Sequence, residues 1–150
     1  MSAAATVRLL LVRLGAEHFA LPLAEVREVT EAPAVAPLPM LPRGVAGQVA
    51  HRDRLVPVLD AGALLAAPRD ARAGGVLLHV DVAGQAAALW ADDVVDVAEV
   101  APAQWRDVPA GGGAAALLAG VVDLGDRIAA VVAMDALRAT VRARLHTEAA

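Results

Sequence analysis

The chain has 150 residues, enough for one ordinary domain with a real core, and its net charge of −4 gives no reason to expect nucleic acid or an anionic membrane as a partner. It contains no cysteine and no lysine, which excludes disulfides, thiolate metal sites, Schiff-base chemistry and a P-loop. The apolar run Leu9 to Val12 is too short for a signal-peptide core, and no uncharged apolar stretch approaches the roughly 18 residues of a membrane span. We therefore expect a cytoplasmic protein.

The first 42 residues predict three short strands followed by a stiff connection. Val7 to Leu14 is predicted as a strand, and a turn leads from it into a partner strand, His18 to Leu21. Val26 to Glu31 alternates apolar and charged residues, which is typical of a strand with one buried and one solvated face. Four prolines within Ala32 to Pro42 indicate an extended, fairly stiff loop.

The stretch from Gly47 to Asp60 predicts a β-hairpin with a charged tip. Apolar runs of strand length flank the tip, where Arg52 stands. Pro57 cannot donate a ladder hydrogen bond, so we expect the return strand to have one edge free or bulged. Asp60 is then predicted to cap a short helical stretch that reaches Leu65.

The pattern of the first half returns after a boundary at 66–75 that carries proline, glycine and charges. Placing Ala88-Leu89 over Ala20-Leu21, an offset of 68 residues, aligns strands and two acidic positions. Placing Gly120 over Gly47, an offset of 73, aligns an Asp-Arg pair and the apolar run after it. The difference between the offsets falls in connecting loops, where insertions are tolerated. We interpret this as a duplicated unit of about five short strands.

Two such units predict the fold. Each half is too short for a large core alone, so the halves are expected to pack on each other, and closure into barrels removes exposed strand edges. The predicted fold is mainly β, with two tandem five-stranded SH3-like β-barrel subdomains over about 7–65 and about 76–133. A C-terminal helix is predicted over about 134–146. Its apolar face comprises Met134, Leu137, Val141 and Leu145.

The order and spacing of several segments resemble the CheW family of chemotaxis adaptors over nearly the whole chain. The residues that carry the resemblance are Val26-Arg27-Glu28-Val29, the proline-rich run Pro37 to Pro42, Gly47, Arg52, Pro57-Val58-Leu59-Asp60, Leu89 to Val94 with Asp92, and Ala119-Gly120 to Met134. Three positions depart from the family pattern. Ala50 stands where the family has Asn, Asp53 where it has Gly, and Ala133 where it often has Asp.

The resemblance implies a non-catalytic adaptor without cofactor or metal. Its implied partners are the regulatory domain of a CheA-type histidine kinase and the cytoplasmic tips of chemoreceptors, with no nucleic acid and no direct membrane insertion. The predicted partner-binding residues are Arg52, Val26, Glu28, Gly47 and Pro57. Arg52 leads this set because a guanidinium can form bidentate bonds to a carboxylate of the partner, with a geometry that lysine does not match.

Each of these residues also has a purely structural interpretation. Arg52 can be a solvated turn residue or form an internal salt bridge to Asp53 or Asp60. Val26 and Glu28 fit a half-buried strand pair equally well. Gly47 is expected to allow close backbone approach at a strand start.

Other chemistry-bearing residues give weaker signals. The four histidines, His18, His51, His79 and His146, form no short-spaced pair, so we expect no zinc site. The acidic residues Asp92, Asp93 and Asp96 are expected on a solvated face. Trp90 and Trp105 are expected in or against the core.

Two further functions stay open on the sequence. One is a divergent scaffold of the same family that serves another receptor-kinase pathway, such as surface motility. The other is a small hydrolase that uses a carboxylate pair, since carboxylates are the plentiful catalytic groups in this composition. A deep acidic pocket would favour the hydrolase, and a shallow apolar groove would favour the adaptor.

Overall fold

Short strands account for most of the chain in the computed structural model, which describes residues 6–36, 40–67, 74–108 and 113–149. Within these residues there are eleven strands and two α-helices. The first half contains β1 (Val7–Leu14), β2 (Glu17–Pro22), β3 (Glu28–Glu31), β4 (Val45–His51), β5 (Arg54–Asp60) and α1 (Ala61–Leu65). The second half contains β6 (Val76–Val82), β7 (Gln85–Ala91), β8 (Asp93–Val100), β9 (Trp105–Arg106), β10 (Leu118–Asp123), β11 (Ile128–Val132) and α2 (Met134–Ala149).

Four sequence predictions reach residues outside the described ranges. They concern part of the proline-rich loop (37–39), part of the predicted boundary (68–73) and the side chains of Leu145 and His146, since α2 side chains are described as far as Arg144. The predicted strand at Val26 starts two residues later, at Glu28. A turn of 3₁₀ helix, Leu23–Glu25, precedes it, and the Val26 N–H closes that turn on the Leu23 carbonyl at 3.1 Å.

The strands form two sheets. The six-stranded sheet has the order β8-β1-β2-β11-β10-β9, and the five-stranded sheet has the order β3-β6-β7-β5-β4. With α2 at the C-terminus, this confirms the predicted mainly β fold of two packed units. Closure of each unit into a barrel and the division into subdomains at about 7–65 and 76–133 stay predictions. The sheets themselves do not separate at that boundary, because each takes strands from both halves of the chain.

The internal repeat is visible in the strand register, and it explains this mixing. Each half places its first hairpin, β1–β2 or β6–β7, in the sheet built by the later strands of the other half. The junction is a parallel pair in both sheets: β5 with β7 aligns Val58 with Ala88, and β11 with β2 aligns Val131 with Ala20. These two pairs are equivalent under the offsets of 68 and 73 residues. The duplicated unit is therefore confirmed, with its first hairpin exchanged.

Three apolar clusters follow from the alternation of side chains along the strands. One lies within the five-stranded sheet, around Val58 and Leu77, and one within the six-stranded sheet, around Leu11 and Val131. The largest cluster contains residues from both sheets and both helices, such as Leu10 of β1, Leu78 of β6, Leu64 of α1 and Leu137 of α2. This shared cluster packs the two sheets on each other, as the sequence predicted.

The helices begin where the sequence predicted, directly after β5 and β11. Asp60 caps α1 by accepting a hydrogen bond from the Ala63 N–H at 3.2 Å. The predicted apolar face of α2 is buried at Met134, Leu137 and Val141. The helix extends to Ala149, slightly beyond the predicted end.

Candidate functional site

The predicted hairpin is present, and its tip is a tight two-residue turn. β4 ends at His51 and β5 begins at Arg54, so Arg52 and Asp53 form the turn. Both have positive φ, 50° and 63°, which is the pattern of a type I′ turn, whose twist matches that of the flanking strands. A non-glycine residue in this region costs roughly 1 kcal/mol. Two charged residues therefore occupy this turn in a conformation that costs some backbone strain.

Arg52 and Glu28, both predicted from the sequence, meet in the structure. The Arg52 Nη2 donates to Glu28 Oε1 at 3.0 Å, which links the hairpin tip to the start of β3. This hydrogen bond holds the pKa of the Glu28 carboxyl below its usual range, with a smaller contribution in the same direction from His51. Arg52 is 75% exposed, so most of its donors remain available to a partner.

Two histidines complete this cluster, and no sequence pattern predicted the contact between them. His51 Nε2 lies 3.1 Å from the same Glu28 Oε1, and its ring stacks on that of His79 with 4.2 Å between centroids. His79 is buried, and its Nε2 lies 2.9 Å from Thr30 Oγ1. Burial of the imidazole lowers the pKa of His79, and a charge on His51 lowers it further. We call Glu28, Thr30, His51, Arg52 and His79 the tip cluster.

The burial of His79 was predictable from the alternation of residues in its strand. In β6 the residues at alternate positions share a face, so His79 lies on the face of Leu77, which packs within the five-stranded sheet. Its pairing with His51 could not be predicted, because it depends on the two edge strands of one sheet, β3 and β4, coming close together. That approach is a property of sheet curvature and not of residue spacing.

Gly47 has the backbone role that its structural interpretation expected. A Cβ at this position would collide with the carbonyl oxygen of Ala36. The segment after β3 here exchanges two hydrogen bonds with β4, Ala36 N–H to Gln48 O at 3.1 Å and Gln48 N–H to Ala36 O at 3.2 Å. Gly47 therefore lets the connection between β3 and β4 lie against the hairpin that carries the tip cluster.

The remaining two predicted site residues, Val26 before β3 and Pro57 within β5, lie outside the tip cluster. Val26 is half-buried and packs against the shared core. Pro57 is half-buried opposite Gln48, immediately before the residue at which β5 begins to pair with β7. β5 lies between β4 and β7 in the sheet, so the expected free edge is limited to the part of β5 that ends at Pro57, before the pairing with β7 begins.

The acidic residues considered for catalysis have structural surroundings. Asp92 was expected on a solvated face, and this is wrong: its side chain is only 2% exposed and accepts a hydrogen bond from the Gly15 N–H at 2.7 Å. It thereby anchors the β1–β2 turn. Asp96 is exposed and accepts from the Val97 N–H. Within the described residues, no three His, Cys, Asp or Glu side chains are placed to hold a metal ion.

Two surface grooves have volumes of about 260 and 480 Å³. The first is lined mainly by alanine and leucine with Arg43 and Arg144, and the second has Glu17 as the one carboxylate in its lining. Among the described residues that line them, neither groove presents a carboxylate pair. Among the described residues there is also no helix with the length and apolar character needed to cross a membrane.

The two sheets with exchanged hairpins and a shared core define a duplicated, mainly β fold with a charged hairpin tip. The family model for the CheW-like domain matches residues 8–141, and the chain belongs to this family. Its structure is similar to the crystal structure of the scaffolding protein TtCheW from Thermoanaerobacter tengcongensis, with a TM-score of 0.75 and 19% sequence identity over 85% of this chain and 84% of that one. A comparison with curated proteins found no match.

Proposed function

We propose that this chain is a non-catalytic adaptor that couples chemoreceptors to a CheA-type histidine kinase in bacterial chemotaxis. Its partners on this proposal are the regulatory domain of the kinase and the cytoplasmic tip of the receptor, and it acts in the cytoplasm. Membership of the CheW-like family supports the class of function. The ion pair between Arg52 and Glu28 at an exposed hairpin tip is the observation that points to particular residues as the binding site.

The surroundings of this ion pair suit a protein partner. Leu55, three residues after Arg52, is 67% exposed, and Val29, which follows Glu28 in β3 and projects from the opposite face of that strand, is 41% exposed. Exposed aliphatic side chains in the segments that carry the charged groups match the usual composition of protein interfaces, in which apolar contacts supply affinity and charges supply specificity. Arginine is also enriched among the residues that dominate binding energy.

The test is a binding measurement with purified partners. The Arg52→Ala variant is expected to bind the kinase regulatory domain or a receptor cytoplasmic fragment about tenfold more weakly than the parent, as measured by calorimetry. Arg127→Ala is the matched control, because Arg127 lies at the tip of the equivalent β10–β11 hairpin and pairs with Asp126 there. Unchanged binding of Arg52→Ala to both partners would remove Arg52 from the site, and absence of any binding by the parent would reject the proposed function.

A further inference from the structure

The stacked histidines of the tip cluster are an unusual way to fill this part of the five-stranded sheet. His79 is 5% exposed, and its ring lies at 25° to that of His51 with 4.2 Å between the centroids. His51 is itself partly covered, since its side chain is 24% exposed. Two imidazoles in this arrangement pack well when neutral, but two imidazolium ions at the same separation repel each other in a poorly solvated site.

The other half of the molecule shows that the fold does not need histidine here. Under the repeat offsets, His79 corresponds to Leu11, His51 to Leu124 and Thr30 to Ala98. All three of these residues belong to or pack against the core of the six-stranded sheet. The same architectural position is therefore apolar in one unit and titratable in the other.

The charged groups around the stack compensate a proton on His79 only in part. Glu28 on β3 accepts from Arg52 and lies within hydrogen-bond distance of His51, and although its charge favours a proton on His79, burial of that ring has the larger effect on its pKa. Arg54, directly opposite His51 on β5, adds a second positive charge. The next acidic residue on β6, Asp81, pairs with Arg27 at 3.0 Å. Opposite His79, β7 offers Ala88, which cannot compensate a charge.

We infer that the His51–His79 stack is an acid-sensitive latch that holds the Arg52–Glu28 hairpin tip against β3. At neutral pH the rings stack, and His51 and Arg52 share the Glu28 carboxylate. A proton on the buried His79 places a poorly compensated charge against the ring of His51 and separates the two rings, and because His51 is the residue before Arg52, the hairpin tip moves away from Glu28. The inference rests on the proposed function in one respect only, namely that this tip is the partner-binding site whose position the latch controls.

The direction of the pH effect follows from linkage. The pKa of His79 is lower in the folded chain than its ordinary value of 6.5, so the folded state prefers the neutral ring. The stabilisation is fully present above pH 6.5 and is lost as the pH falls from there through the folded value. Glu28 acts in a separate window, because its pKa lies below 4.5 and its contribution is lost only below that pH.

The first experiment measures urea unfolding of the whole chain from pH 8 to pH 5. The parent is expected to lose up to about tenfold in its folding equilibrium constant per pH unit below 6.5, the limit for one proton. His79→Leu, which copies Leu11 of the other sheet, should show a much flatter profile in this window. His18→Gln is the control, since it removes a histidine outside the tip cluster, and it should follow the parent. Equal slopes for the parent and His79→Leu would overturn the latch.

The second experiment observes the tip directly and does not depend on partner binding. Hydrogen exchange at the backbone amides of Arg52 and Glu28 is expected to accelerate in the parent between pH 7 and pH 5.5, after correction for the intrinsic rate, and to stay constant in His51→Gln. His51→Gln also replaces His79→Leu as the test variant if His79→Leu does not fold. An unchanged corrected rate in the parent overturns the latch. A responsive tip in a chain that binds neither partner would instead reject the proposed function and leave the latch standing.

Discussion

The two hairpin tips, β4–β5 and β10–β11, occupy equivalent places in the duplicated fold but differ in what they present. The first has His51-Arg52-Asp53-Arg54, and the second has Leu124-Gly125-Asp126-Arg127. In the second, the Leu124 N–H bonds to the Arg127 carbonyl at 2.9 Å, and Gly125 takes the positive φ, 92°. Both turns are closed by pairing of the residues that flank them, and the first is in addition tied through Arg52 to Glu28 on another strand.

The frameworks below the tips are nearly the same. Both hairpins have a register shift near the start of the first strand, between Val45 and Gly47 in one and between Leu118 and Gly120 in the other. In both hairpins, the segment that precedes the first strand pairs with that strand close to this glycine. Features shared by the two units serve the architecture, so the features confined to one unit are the better candidates for function. The tip cluster, which occurs in one unit, is therefore the better candidate for partner binding, and Gly47, which has an equivalent in Gly120, is the weaker one.

The largest effect is expected from the two glycines. Gly47→Ala places a methyl group against a backbone carbonyl at a φ of 155°, and we expect a loss of about 2–3 kcal/mol in the free energy of unfolding. Gly120→Ala meets the ring of Trp105 at 2.8 Å and the Arg106 carbonyl oxygen at 3.1 Å, a less severe approach than the one at Gly47, so a smaller loss of about 1 kcal/mol is expected. Urea unfolding of both variants checks the order, and a Gly47→Ala protein as stable as the parent but defective in binding would return Gly47 to the site.

The sequence predicted what depends on local patterns. Strand positions, the hairpin, the Asp60 cap and the repeat follow from alternation, turn chemistry and spacing, and they are present in the structure. The exchange of the first hairpins could not be predicted, because two nearly equivalent hairpins fit either sheet and only long-range packing distinguishes them. Of the site, the sequence supplied Arg52 and Glu28, while the stacking of His51 on His79 requires the curvature of the assembled sheet.

An intermediate effect is expected at the two helix starts, which also differ between the units. Asp60 caps α1, but the equivalent residue before α2 is Ala133, whose side chain offers no hydrogen bond. Asp60→Ala should lower the free energy of unfolding by about 1 kcal/mol, and Ala133→Asp should raise it by about 0.5–1 kcal/mol. Thermal and urea unfolding of both variants measure the pair. If Ala133→Asp destabilises the chain, the two helix starts do not have the same geometry.

The smallest effect is expected at the turn itself, where the comparison separates strain from function. Arg52 and Asp53 have φ values of 50° and 63°, whereas in the equivalent hairpin the position of Arg52 is occupied by Gly125. Asp53→Gly should therefore raise the free energy of unfolding by a few tenths of a kcal/mol, since the relief of strain slightly exceeds the greater entropy of glycine in the unfolded chain. Arg52→Gly gains the same relief but loses the ion pair to Glu28. We expect partner binding, measured by calorimetry, to persist in Asp53→Gly and to weaken in Arg52→Gly. Equal loss of binding in both variants would mean that the shape of the turn, and not the guanidinium of Arg52, is what a partner recognises.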